Sequence, residues 1–116
     1  IYELRKQEHF ICITLNGAND VISVKVISIG LLNKSLIHPR EVFREAIKEN
    51  ASSIVICHNH PSGNCVPSDE DIETTKYLIE ASNLIGIPIL DHIIFDCDSY
   101  YSFLEHDFLF KNKNLL

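Results

Sequence analysis

Residues 53–71 read SIVICHNHPSGNCVPSDED, and the fold turns on how that stretch changes character along its length. Its first six residues are a short continuous apolar run rich in β-branched side chains, the pattern of a strand covered on both faces. Pro61, Gly63 and Pro67 then punctuate a loop. A helix starts at Ser68, carries Ile72, Leu78, Ile79, Ala81, Leu84 and Ile85 as its apolar positions, and stops at Gly86. Beyond it, residues 87–95 (IPILDHIIF) predict another strand and residues 100–104 (YYSFL) a short last one.

Upstream, residues 10–15 (FICITL) predict a strand, and Asn16-Gly17-Ala18-Asn19-Asp20 is turn chemistry. Residues 21–29 (VISVKVISI) put Ile22, Val24 and Val26 on one face and Ser23 and Lys25 on the other, a half-buried strand paired to the first as a hairpin. Pro39 suits the first turn of a helix, and Val42, Phe43, Ala46 and Ile47 recur at helical spacing through about Asn50. The order β-β-α-β-α-β-β implies an α/β fold, a mixed β-sheet flanked by helices.

At 116 residues the chain is one domain's worth, a single domain over 1–116. It starts at Ile1 and not Met, so the expectation is the C-terminal part of a longer chain. Residues 1–9 are polar and show no cationic start ahead of an apolar run. No stretch approaches the ~20 apolar residues that span a bilayer, so no membrane partner is expected. The net charge of −6 and the scattered Lys and Arg, with Lys111 and Lys113 the only late pair, argue against direct nucleic-acid binding by this segment. Cys12, Cys57, Cys65 and Cys97 show no CxxC spacing. Cys12, Cys57 and Cys97 adjoin apolar segments and read as small hydrophobes, whereas Cys65 falls in a polar loop and reads as a solvent-facing spectator. Reduced cysteines and no secretion signal make the cytoplasm the expected location. A hairpin edge able to pair two copies leaves a homo-oligomer open.

The chemistry concentrates in residues 58–71. In extended chain, positions i and i+2 point the same way, so His58 and His60 present two imidazoles on one side of a strand end. Pro61, Gly63 and Pro67 turn the chain back, which can bring Asp71, in the first turn of the next helix, over the same point. Two nitrogens and one carboxylate oxygen are a three-ligand set for Zn²⁺ with a position left for water, as catalytic sites require. Ser68-x-x-Asp71 is also a variant of the capping box, which alone accounts for both residues as a helix start. Asp91-His92 interrupts an apolar strand, and two readings stand: a carboxylate that orients a ligand imidazole, or a satisfied internal pair. His38, before Pro39, reads as a helix-start residue, and His9 and His106 as solvent-facing.

The spacing His58-x-His60-Pro61, six residues, Ser68, two residues, Asp71 resembles the JAMM signature of JAB/MPN metalloproteases without a gap. The segments HPREVF (38–43), CHNHPSG (57–63), PSDED (67–71) and LDHIIFD (90–96) are similar to the bacterial RadC branch of that family, over about Glu8 to Leu104. The resemblance implies a JAB/MPN fold with the layered architecture of cytidine deaminases, and one zinc ion per chain held by His58, His60 and Asp71. It implies that Ser68 hydrogen-bonds the oxyanion or the bound water. It also implies a glutamate before the hairpin as general base, a place that Glu8 occupies, with Glu3 as the fallback. The activity so implied is hydrolysis of a peptide or isopeptide bond in an unidentified peptide or protein substrate. The competing readings are a zinc-binding JAB-type interaction module and a DNA-repair-associated factor without protease activity. A zinc deaminase needs His-x-Glu and Pro-Cys-x-x-Cys, and neither is present.

Overall fold

The computed structural model describes residues 7–30, 37–106 and 108–110. Glu3, Lys111 and Lys113 lie outside the described residues. Seven elements follow in the expected order: β1 (His9–Leu15), β2 (Val21–Ile29), α1 (Pro39–Lys48), β3 (Ser53–Asn59), α2 (Asp69–Ile85), β4 (Ile89–Phe95) and β5 (Tyr100–Ser102). The strands form one mixed sheet in the order β2-β1-β3-β4-β5, with β3 at its centre. β1 pairs antiparallel with both β2 and β3, β3 runs parallel to β4, and β5 closes the far edge antiparallel to β4. The parallel pair requires a crossover, which α2 supplies. Ligand sites of parallel strands open at their carboxyl ends, and the end of β3 is where His58 and His60 stand.

An apolar core joins the layers. Phe10 and Cys12 of β1 and Ile54 and Ile56 of β3 share a sheet face and pack with Val42, Phe43 and Ala46 of α1 and Leu78 of α2. Both helices therefore cover the same face. His38 caps α1 by accepting the Arg40 N–H at 3.0 Å, as its place before Pro39 suggests. No helix among the described residues is long and apolar enough to cross a membrane.

Four expectations about burial are corrected. In β2 the apolar face is outward: Val24 is 62% and Val26 47% exposed. The polar face turns to α1 instead, where Lys25 Nζ pairs with Glu45 at 3.1 Å and Ser23 Oγ donates to Glu49 at 3.1 Å. Two register shifts against β1, at Phe10/Ile11 and Thr14/Leu15, accompany this arrangement. In α2, Leu84 is 91% exposed, and the buried stripe is Asp71, Thr74, Thr75, Leu78 and Ser82. The cysteines exchange roles. Cys65 is buried against Ile94 and Phe103, while Cys97 is exposed. His9 is buried too, because its place in β1 is next to the central strand, whereas His106 is exposed.

Candidate metal centre

His58 is the sixth residue of β3 and wholly buried. The His60 N–H still donates to the Phe95 carbonyl at 3.0 Å, so the extended chain continues past the strand and sends both imidazoles the same way. A turn then closes with Gly63 N–H donating to the His60 carbonyl at 3.0 Å. Gly63 has φ of 88°, a left-handed conformation that disfavours any side chain. The loop returns to Ser68, the N-cap of α2.

The capping box at that helix start is complete. Asp71 N–H donates to Ser68 Oγ at 3.1 Å, and Ser68 N–H donates to Asp71 Oδ2 at 2.8 Å. Capping does not draw Asp71 away from the histidines. Its Oδ1 lies 3.1 Å from His58 Nε2 and its Oδ2 3.0 Å from His60 Nε2. The two Nε2 atoms are 3.0 Å apart. Burial would raise the Asp71 carboxyl, but the hydrogen bond and charge of His58, the Ser68 N–H and the charge of His60 outweigh it and hold the group well below the usual carboxylate range.

The donor set suits a small divalent cation. Ligands 2.0–2.1 Å from a tetrahedral zinc stand about 3.3 Å from one another, close to the three separations observed. His60 Nδ1 lies 2.7 Å from the Asn64 carbonyl, which can only accept, so Nδ1 carries a proton and Nε2 is the ring nitrogen left to meet a cation. Glu8 reaches the same place from the chain beside β3: two residues before Phe10, it lies toward the sheet face that carries His58. Its Oε1 is 4.0 Å from His60 Nε2, and ligand atoms of Glu8, His58 and His60 all fall within 4.8 Å of one another. Asp71 is nearer to both imidazoles than Glu8 is, which leaves Glu8 at the rim.

Glu8 is held there by backbone on both flanks. Phe10 stands opposite His58 in the β1–β3 register. Asn59 accepts the His9 N–H through Oδ1 and donates from Nδ2 to the Gln7 carbonyl at 2.9 Å. The Gly30 N–H also donates to the Glu8 carbonyl at 2.8 Å. Asn59 was not singled out by the sequence reading; its place between two histidines was the available signal.

Asp91 and His92 part company. Asp91 accepts the His92 N–H at 2.7 Å, the Leu104 N–H at 2.9 Å and the Ser102 hydroxyl, so the carboxylate organises the turn after β5 and orients no ligand. His92 is wholly buried, with Nε2 2.8 Å from His58 Nδ1 and Nδ1 2.6 Å from Thr75 Oγ1. Burial pushes His92 well below the usual imidazole range, and His58 beside it acts the same way. Thr75 escaped the sequence reading because a helical threonine carries no pattern, although it stands one turn from Asp71.

The chain is similar to known proteins over most of its length. The profile of the RadC-like JAB domain family matches residues 1–108. A UPF0758 protein of Bacillus velezensis is 50% identical over 103 residues, covering 89% of this chain and 45% of the relative. The UPF0758 protein YsxA of Bacillus subtilis matches to the same extent. A UPF0758 protein of Methanospirillum hungatei is 55% identical over 91 residues, covering 78% of this chain and 40% of the relative. The chain thus spans less than half the length of these relatives.

Proposed function

Because this chain belongs to the RadC-like JAB domain family, we propose that it is a zinc-dependent hydrolase of the JAMM type that cleaves a peptide or isopeptide bond. The observation that carries the reading is the convergence of His58 Nε2, His60 Nε2 and Asp71 within 3.0–3.1 Å, with the Glu8 carboxylate 4.0 Å from His60. His58, His60 and Asp71 would hold the metal. A zinc ion bound there would supply a nucleophile of hydroxide strength at neutral pH and polarise the scissile carbonyl.

The chain's own residues divide the remaining work. Glu8 is the proton acceptor, placed beyond the ligands where one water fits between carboxylate and imidazole. It takes the proton of the water that adds to the carbonyl carbon and returns it to the amine nitrogen as the C–N bond breaks. Ser68 caps α2 with an oxygen lone pair, which leaves its hydroxyl proton to donate to the oxygen that gains charge. Asp71 anchors the trio to the helix start, where the macrodipole and the Ser68 N–H favour its ionised form.

The test pairs metal content with hydrolysis. Protein purified without added zinc should carry about one zinc per chain, lost in His58→Ala and in Asp71→Asn. A panel of peptide and isopeptide substrates should be cut by the wild type and not by Glu8→Gln. Zinc bound with no substrate cut would favour a binding module, and zinc retained in both ligand variants would overturn the site.

A further inference from the structure

The buried polar groups behind the trio form a line whose proton positions can be worked out. Thr75 has one hydroxyl proton, and it goes to the Asp71 carbonyl at 2.7 Å. Toward His92, Thr75 Oγ1 can then only accept, so His92 Nδ1 is the donor across their 2.6 Å contact. A neutral imidazole carries one proton. With that proton on Nδ1, His92 Nε2 is an acceptor, and His58 Nδ1 must donate to it over 2.8 Å. Nε2 of His58, the atom facing Asp71 and His60, is then the ring nitrogen left to meet a cation.

Packing fixes the ring that transmits this order. Phe103 stacks on His92 at 4.7 Å between centroids and 7° between planes, and Phe10 meets it edge-on at 6.4 Å. His92, Thr75 and Phe103 are all at 0% exposure, so water has no access through which to take up a misplaced proton. The opposite tautomer of His92 would face a lone pair to a hydroxyl whose proton is already committed.

We propose that Thr75 and His92 are positioning residues, a buried relay that holds a proton on His58 Nδ1 and so leaves Nε2 as the atom aimed at the cation site. The purpose of the lock rests on the metal reading above, but the Nδ1 proton of His58 is a property of the metal-free protein. Two measurements separate them. Long-range ¹⁵N correlation spectra of the metal-free chain should show His58 and His92 both protonated on Nδ1. Zinc affinity by chelator competition should fall ~10–100-fold in Thr75→Val, the usual effect of losing a group that orients a ligand, and stay near wild type in Thr75→Ser, which restores the hydroxyl.

His58 without a proton on Nδ1 in the metal-free wild type would overturn the relay. So would wild-type zinc affinity in a folded Thr75→Val, or an equal loss in Thr75→Ser. If Thr75→Val does not fold, the wild-type spectrum decides alone. Nδ1 protonation in a chain that binds no zinc would uphold the lock and sink the metal reading.

Discussion

Replacing Glu8 by Gln removes a proton acceptor and little else, since the backbone around it is held by Asn59 and Gly30. The expected result is a fall in hydrolysis of about 10²–10⁴-fold with zinc content unchanged. Ser68 can be dissected in the same way. Ser68→Ala should cost about 1 kcal/mol of stability from the lost cap, read by urea titration. If the hydroxyl also serves the oxyanion, Ser68→Asp, which can cap, restores stability but leaves the rate about 10²-fold down. The His58, His60 and Asp71 cluster was legible because a strand end, a turn and a helix start fix its spacing within one short segment. Glu8 was legible only by resemblance, because the register of β1 on β3, and no local rule, brings it in. Thr75 and Asn59 were invisible because hydrogen-bond partners far apart in sequence leave no periodic trace.

At the scale of elements, α2 shows why pattern reading placed the helix and misjudged its buried side. The helical period is present at Asp71, Thr75, Leu78 and Ser82, but it is written mostly in polar residues because that face begins at the cluster of Asp71 with His58 and His60. Its end is simpler. Gly86 has φ of 84° and donates to the Ser82 carbonyl at 2.8 Å, so Gly86→Ala should cost about 1 kcal/mol, measured as a shift in the urea midpoint. β2 gives the opposite prediction. Val24 stands 62% exposed on an edge strand, so Val24→Lys should change stability by no more than about 0.5 kcal/mol while reducing aggregation on heating, followed by light scattering.

For the molecule as a whole, pH should act through two buried cysteines, Cys12 and Cys57. Burial pushes Cys12 up to about 12 and Cys57 up to about 11, from 9.0. Below 9.0 both states keep these protons and stability is level. Above it the unfolded chain ionises first, so stability falls as pH rises through about 11 to 12. A Cys12→Ala, Cys57→Ala double variant should lose less stability than wild type on moving from neutral to alkaline buffer, as read by urea midpoints. Chelation should lower the melting temperature of wild type and not of His58→Ala, because a metal bound only by the folded state adds to its stability.

The sheet register also has a consequence in time. His58 and Asp71 are 13 positions apart in the chain, whereas Glu8 and His58 are 50 apart and meet only when β1 docks on β3. Closing the longer loop costs about 1 kcal/mol more in chain entropy, and non-local strand pairing forms late in folding. A refolding chain should therefore capture a cation before it can use one. In a refolding experiment with cobalt as the reporter ion, the ligand-field spectrum should appear ahead of hydrolysis, and a variant that weakens only β1 pairing should widen the interval between them.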